Sequence, residues 1–289
     1  MLNEVAENQN LQEYSALELK LRCNSWGKTV ITHQYQTHPM RISRPFRLDR
    51  DNHNRAYIYL RNNSPGLFAQ DNLNISLSLG KNSQFYLTEQ SATKVHPMTK
   101  GSTAKVNYNW NIAQQGIVEF VPEPLILYQD SALQQTTKIE IHPTASLFWS
   151  DIILPGRLAR GECYQFRYYD HYLEVCSDLG ELWFKERMYL KGQDNQFCHN
   201  ELFASFPVLG NAIIIIPDLE IDLLKNTLDN LDRDNVTDLV AATSVLPHNK
   251  GILIRVVASK AQKIKNYWHS VINALRKLNH QPLLPRIPK

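Results

Sequence analysis

Apolar and polar side chains alternate with a period of two along much of the first three quarters of the chain, and a β-strand is the element that turns this period into one dry face and one wet face. Leu17, Leu19 and Leu21 are interleaved with Glu18, Lys20 and Arg22. Leu73, Ile75, Leu77 and Leu79 alternate with Asn74, Ser76 and Ser78, and the run stops at a Gly80-Lys81-Asn82-Ser83 turn. Val106, Tyr108, Trp110 and Ile112 alternate with Asn107, Asn109 and Asn111, ahead of a turn at Gln114-Gln115-Gly116. Shorter runs of the same kind lie near 29–36, 56–60, 85–90, 117–121, 125–128, 136–142, 173–176, 182–190 and 252–257. Short strands joined by short polar turns predict a mainly β fold: a large antiparallel multi-sheet arrangement, sandwich-like or β-helix-like.

Two segments near the C-terminus carry helical spacing instead. After Pro217, with Asp218 as the expected N-cap, Ile221, Leu224, Leu228 and Leu231 recur on one face. Ser259 and Gln262 form a capping-box pattern, followed by a stripe of Ile264, Trp268, Val271, Ile272, Leu275 and Leu278. No linker divides the chain. The expected organisation is a disordered N-terminus over 1–12, a single β-rich domain over 13–280 with two α-helices near its C-terminal end, and an extended Pro-rich basic tail over 281–289.

With 43% hydrophobic and 20% charged residues among 289, the composition is that of a globular protein able to bury a core without disulfide staples. The longest aliphatic run, Ile213 to Ile216, is far too short for a bilayer, so no membrane partner is expected. Glu4 and Glu7 break the N-terminal stretch where a secretory signal would be apolar. Cys23, Cys163, Cys176 and Cys198 are scattered without a pairing framework, which fits a reducing compartment; the expectation is cytoplasmic. Charge is uneven. Seven carboxylates lie between Asp218 and Asp238, and nine Lys or Arg follow with no further acid. A basic end can mark nucleic-acid binding, but no nucleic-acid motif accompanies it, and an acidic helix beside a basic one explains the pattern; no nucleic-acid partner is expected.

Catalytic signatures are missing: there is no phosphate loop, no nucleophile elbow, no dinucleotide fingerprint and no zinc-protease motif. Cys198-His199 with Glu201 could hold a soft metal but reads more simply as an incidental loop. Glu119 and Glu123 flank Pro122 and supply the one carboxylate pair for an alternative reading, a β-sandwich or β-helix enzyme acting on polysaccharide. More telling are polar residues set inside apolar strand-like segments. Asp151 lies between Trp149 and Ile152-Ile153-Leu154, and Glu186-Arg187 splits Leu182-Trp183-Phe184 from Met188-Tyr189-Leu190. Leu87-Thr88-Glu89-Gln90-Ser91-Ala92-Thr93-Lys94-Val95 carries six polar residues behind a strong strand. Buried charge is costly unless paired. These residues either form internal salt bridges, for example Glu186 or Asp151 with Arg157 or Arg160, or they line a polar passage.

The same segments carry a family resemblance. Leu87 to Val95 resembles the LTTQAATKVYR segment of the urease accessory protein UreD (UreH) family. Val118-Glu-Phe-Val-Pro-Glu-Pro-Leu-Ile-Leu-Tyr128 resembles the family's LEWLPQETILF, and Pro155-Gly-Arg-Leu-Ala-Arg-Gly-Glu162 its LGRxARGE. Glu186-Arg187 stands where the family has a Glu-Arg pair; Arg44-Pro45-Phe46 and the Pro65-Gly66 to Asp71 loop fit as well. Two departures mark a divergent member: Ala69-Gln70 replace paired glycines before the aspartate, and His96-Pro97 replace a Tyr-Arg.

The resemblance implies a non-enzymatic chaperone in urease maturation. Such a scaffold binds the urease apoprotein and UreF-like and UreG-like partners, and nickel crosses its interior. It implies no tightly bound cofactor, only Ni(II) in transit. The implied nickel path comprises Asp71, Asp151 and Glu186. Thr88, Thr93, Lys94 and Arg157 are expected to line or order it. Lys260, Lys263 and Lys265, on the acid-free helix face, are the expected partner-binding cations.

Overall fold

A computed structural model describes residues 15–50, 53–193, 200–233 and 238–288. The expected disordered N-terminus and the Cys198-His199 pair lie outside the described residues.

The strands sort into two stacked sheets. The outer sheet holds β1 (Ser15–Cys23), β2 (Thr29–Gln36), β5 (Asn72–Leu79), β8 (Ala104–Ile112), β11 (Ala132–Ile141), β13 (Tyr168–Ser177) and β14 (Leu182–Leu190), in the order β14-β13-β11-β8-β5-β1-β2. The middle sheet holds β3 (Met40–Ile42), β4 (Ala56–Asn62), β6 (Gln84–Glu89), β9 (Ile117–Val121), β12 (Ser146–Leu154), β15 (Val208–Ile215), β16 (Leu239–Val245) and β17 (Ile252–Ala258), with short β7 (Thr93–Val95) and β10 (Leu125–Leu127) beside β12. Helices α2 (Ile221–Arg233) and α3 (Ala261–Leu278) cover the far face of the middle sheet, and a short α1 (Glu201–Ser205) precedes β15.

The mainly β class and the multi-sheet, solenoid-like layout agree with the sequence, but the strand direction does not. From β4 to β13 the chain alternates between sheets, so the next strand in the same sheet arrives one full coil later, running the same way. Neighbours β1–β5, β5–β8, β8–β11 and β11–β13 are parallel, as are β4–β6, β6–β9 and β9–β12. Antiparallel pairs are confined to the ends of the coil, as in β1–β2, β13–β14 and β15–β17. The turns at 80–83 and 114–116 are short, as their composition requires, yet each leads to the opposite sheet rather than back along the same one.

The coil stacks like residues into ladders: Leu19, Leu77, Trp110 and Ile139 lie side by side across the outer sheet. These side chains meet Phe85, Leu87, Val118 and Phe120 of the middle sheet to form the inter-sheet core. The middle sheet is buried on both faces, so β12 and β15 read as continuous apolar runs rather than alternations. Its second face packs on Ile264, Trp268, Val271, Ile272 and Leu275 of α3, the stripe read from the sequence. Each such side chain contributes roughly 1.5–3 kcal/mol by leaving water. Gly210 makes that contact close, since a Cβ there would lie 2.8 Å from Val256 and 2.9 Å from Ile264.

Both expected caps are displaced. Asp218 sits in a left-handed turn (φ 63) and α2 begins three residues later. Lys260, not Ser259, is the N-cap of α3, with no side-chain cap bond. Residues 281–288 form no helix or strand and are bound to the domain. Leu284 N donates to Asn273 Oδ1 at 2.8 Å, and Tyr59 OH donates to Pro288 O. Among the described residues, no helix is long and apolar enough to cross a membrane.

Candidate functional site: a polar cavity between the sheets

The inter-sheet core is apolar for most of its extent, with a few polar side chains set into it. Where they gather, a cavity of about 50 Å³ lies between the sheets, with Glu89, Thr93, Gln135 and Asp151 set among apolar residues such as Val106, Phe120, Leu133 and Trp149. A water needs roughly 10–15 Å³, so the space suits a few ordered waters. Glu89 and Thr93 also line a smaller adjoining cavity that includes Asn62 and Ser91. Gln135 also lines an open pocket on the outer sheet together with Asp170, Tyr172, Lys185, Glu186 and Arg187. Shared lining residues place the three spaces side by side.

Asp151 lines the inter-sheet cavity. Leu147, Trp149, Asp151 and Ile153 occupy the phase of β12 that faces the outer sheet, which puts a carboxylate among buried apolar side chains. Its Oδ1 accepts from the backbone N–H and the side-chain amide of Asn211, at 2.9 and 3.0 Å. Its Oδ2 is buried without a hydrogen-bond partner. Burial raises the Asp151 carboxyl to about 7 in spite of the Asn211 bonds, and the negative charge of Glu186 adds to the rise.

Facing it is His171 of β13, with Nδ1 3.9 Å from Asp151 Oδ2. His171 Nε2 lies 3.1 Å from Thr137 Oγ1 and 3.3 Å from the Gln135 side-chain nitrogen. Tyr169 OH donates to Gln135 Oε1, so the Gln135 nitrogen is the donor toward the ring. Nε2 therefore accepts, and the proton of the neutral imidazole sits on Nδ1, toward Asp151. Burial lowers the His171 pKa to about 3, opposed by the charge of Asp170. The ring is neutral at ordinary pH.

Of the residues expected on the path, the fold brings Thr93 and Asp151 to one cavity and places Glu186 in the adjoining outer pocket, where it pairs with Arg255 across the sheets. It does not bring the others there. Asp71 Oδ2 caps a turn by accepting from Phe68 N at 2.8 Å. Thr88 faces the helices, and its hydroxyl donates to Val121 O at 2.6 Å. Lys94 is exposed. Arg157 lies beside Glu162, donating from Nε to Oε2 at 2.7 Å, with its guanidinium 4.6 Å from the Tyr128 ring. The suggested ion pairs of Asp151 or Glu186 with Arg157 or Arg160 are thus replaced by Asn211, Arg255 and Glu162, because Arg157 is consumed by the carboxylate five residues along its own loop. Gly156 permits that loop: at φ 145, a Cβ would fall 2.4 Å from Glu162 O.

The acid-free face of α3 is supplied with acids from elsewhere. Lys263 pairs with Asp238 at 2.7 Å, and Lys265 with Glu123 at 2.7 Å. Glu123 lines both the inter-sheet cavity and a groove of about 640 Å³ beneath α3 and the C-terminal segment. Tyr267 and Trp268 are fully buried, which removes the aromatic partners a nucleic-acid face would use. The glycosidase alternative fails on Glu119. Its carboxylate is buried between Arg55 and Arg276, and although burial alone would raise its pKa, the two guanidiniums hold it at about 2. A general acid must carry a proton near neutral pH, and this group cannot.

The sequence reading missed Gln135 as a cavity residue and His171 as the group facing Asp151. Their signal was phase: His171 shares the inward phase of Tyr169, Leu173 and Val175, and Gln135 that of Thr137, Ile139 and Ile141. The two departures also find a physical account. Gln70 adopts φ 69, a left-handed conformation that glycine takes without strain. His96 stacks on Phe68 with ring centroids 4.5 Å apart, closing the same loop. Among the described residues, no three His, Cys, Asp or Glu side chains gather into a closed metal site.

Comparison with known sequences finds relatives across nearly the whole chain. The sequence model of the UreD urease accessory protein family matches residues 14–289. A urease accessory protein UreD of Trichodesmium erythraeum is 48% identical over 274 residues, covering 94% of this chain and 98% of that one. UreD proteins of Bacillus cereus and Haloarcula marismortui are 30% and 27% identical, covering 83% and 88% of this chain and 86% and 83% of theirs. The chain belongs to the UreD family of urease accessory proteins.

Proposed function

We propose that this chain is a cytoplasmic, non-catalytic scaffold for nickel insertion into the urease apoprotein, that it bridges urease to UreF-like and UreG-like partners, and that Ni(II) crosses its inter-sheet cavity. The observation carrying the proposal is a set of three adjoining spaces that share Glu89, Thr93 and Gln135 as lining, with Asp151 on the inter-sheet cavity and Glu186 on the outer pocket. Ni(II) accepts carboxylate, imidazole and water ligands, and a transit site must release what it binds. Isolated donors along a hydrated passage satisfy both conditions better than a closed four-ligand cage. Asp71 is left out of the path because its carboxylate is committed to a turn.

The test pairs Asp151→Ala with Glu186→Ala and reads melting temperature, capture of the accessory partners and nickel content of the matured urease on the same preparations. Both variants are expected to fold and to bind partners, while urease nickel falls several-fold. Fully loaded urease from stable, binding-competent variants overturns the passage.

A further inference from the structure

We infer that one rim of the outer sheet docks a second copy of this chain about a two-fold axis. It is the rim at which β1, β5, β8, β11 and β13 finish, since these strands are parallel and Leu21, Leu79, Ile112, Ile141 and Ser177 stand at one level. A hairpin tip closes each end of it, and the two tips are built alike. In Asn24-Ser25-Trp26-Gly27-Lys28, Asn24 Oδ1 accepts from Trp26 N at 3.1 Å and from Lys28 N at 2.9 Å. In Ser177-Asp178-Leu179-Gly180-Glu181, Ser177 Oγ accepts from Leu179 N at 3.3 Å and from Glu181 N at 3.0 Å. In both loops the first residue's N–H donates to the carbonyl of the fifth, and the glycine, at φ 77 or 84, donates to the carbonyl of the first. Each loop thereby fixes its backbone without using its third side chain, and holds that side chain out in water. Trp26 is 80% exposed and Leu179 90%, the two most exposed large apolar residues among the described ones. A single exposed apolar residue is ordinary, but two on matched, hydrogen-bonded posts at opposite ends of one rim mark a contact surface.

Charge, height and the middle of the rim identify the occupant. Exposed Arg22, Lys28 and Lys81 lie at the Trp26 end, where Gly80 N donates to Leu21 O. Asp178, Glu181 and Glu140 lie at the Leu179 end, offset in part by Lys250, 3.7 Å from Glu181. In a two-fold contact each feature meets the one at the other end, so a basic end and an acidic end on the same rim satisfy one another twice. The heights match in the same sense. Arg22 and Cys23, still paired with β2, lift the Trp26 loop beyond the common level, whereas the Leu179 loop begins at Ser177 itself, so the tall end of one copy fits over the low end of the other. The axis then falls on the turn after β8, Ala113-Gln114-Gln115-Gly116, which meets itself. That turn carries no charge, and a glutamine amide both donates and accepts. The hairpins stand five strand spacings apart in the sheet order, roughly 24 Å. A row of that length and one turn in depth falls short of the standard interface of about 800 Å² per partner, so the dimer is weak, with a dissociation constant on the order of 10 μM.

The test is sedimentation velocity on the full chain from about 1 to 100 μM, a range that spans the expected constant. Trp26→Ala and Leu179→Ala should each weaken association at least ten-fold while leaving the melting curve at the wild-type position, because neither side chain is buried. Lys28→Glu should weaken association several-fold, and adding Asp178→Lys to it should restore most of the loss, since the two charges that face across the contact are then exchanged. A second measurement needs no variant. Trp110, Trp149, Trp183 and Trp268 are buried, so Trp26 is the indole open to water; as the wild-type concentration rises, its emission should shift to the blue and lose its quenching by acrylamide. A monomer throughout the range, a dimer that none of these changes weakens, or a double reversal that associates no better than Lys28→Glu alone overturns the docking. So does a wild-type monomer whose capture of an accessory partner is lost with Trp26→Ala, which hands the rim to that partner instead.

Discussion

Two buried polar clusters lie on opposite faces of the middle sheet, and they are built by opposite rules. On the helix side, Asp49 and Glu119 face Arg55 and Arg276, two negative charges against two positive, and Tyr57 and Gln281 add further hydrogen bonds. On the inter-sheet side, Asp151 and His171 stand 3.9 Å apart, each driven toward neutrality by burial, with one carboxylate oxygen unpartnered. The first cluster uses its groups on one another. It ties β4, β9, α3 and the segment after α3 together, since Arg276 also donates to Pro282 O. The second leaves coordinating atoms unused. A buried cluster whose charges cancel is an anchor, whereas one left neutral and underbonded is available to a ligand.

The largest expected effect breaks the anchor. Glu119→Gln removes the charge that both guanidiniums face, and unpairing buried charge costs on the order of 3–5 kcal/mol. For a domain of this size that is a fall of roughly 10 °C in melting temperature, measurable by scanning calorimetry. Asp151→Asn at pH 6 keeps the acceptor for Asn211 and replaces an acid that is largely protonated there, so its loss should stay below about 1 kcal/mol. Equal losses in the two variants would erase the distinction between anchor and open site.

The next effect is a pH dependence whose sign differs between two variants. Asp151 is raised from 3.8 to about 7, so its contribution to stability is present below pH 4 and is lost as pH climbs toward 7. His171 is lowered from 6.5 to about 3, so its contribution is present above pH 6.5 and is lost as pH falls toward 3. In the wild type the two slopes oppose each other between pH 4 and 6. Asp151→Asn leaves only the histidine slope, and stability should fall on acidification by up to about 2 kcal/mol over that window. His171→Gln leaves only the aspartate slope and should show the reverse trend. Denaturant melts at pH 4, 5 and 6 decide it; parallel profiles for the two variants would refute the opposed pair.

What was legible in the sequence follows the wetting of each strand. β1, β5 and β8 have one face toward water, and their alternation located them closely. β12 and β15 are dry on both faces, carry no period, and so gave an apolar context around Asp151 without a strand to hang it on. Strand direction was illegible for a different reason. The turn residues at 80–83 specify a tight reversal, but whether the next strand joins the same sheet or the opposite one depends on where the coil closes. His171 was missed because Tyr168, Asp170 and Tyr172 make the outward phase of β13 half apolar, which blurs the contrast that marks an inward polar residue. Arg157 and Glu162, five residues apart and joined through a local loop, were read for the segment they mark but not for each other.

The smallest expected effect concerns the ion pairs on α3, which sharpen the comparison by supplying a third case. Lys263 and Asp238 form an ion pair with both side chains about half exposed. Water solvates each partner nearly as well as the other does, and ordering two long side chains consumes most of what remains. Lys263→Glu should therefore leave the melting temperature unchanged within error, unlike Glu119→Gln. If the face of α3 docks an acidic partner, the same change, combined with Lys260→Glu, should slow association with a UreF-like protein, and the difference from wild type should shrink as salt rises. Lys265 is kept out of this variant because it is half-buried against Glu123 at the edge of the cavity, where reversal would disturb more than the surface. Association rates measured at low and high ionic strength separate the outcomes. A rate that matches wild type at both, in a protein with an unaltered melt, removes this face from partner docking and leaves the groove beneath it as a separate question of shape rather than charge.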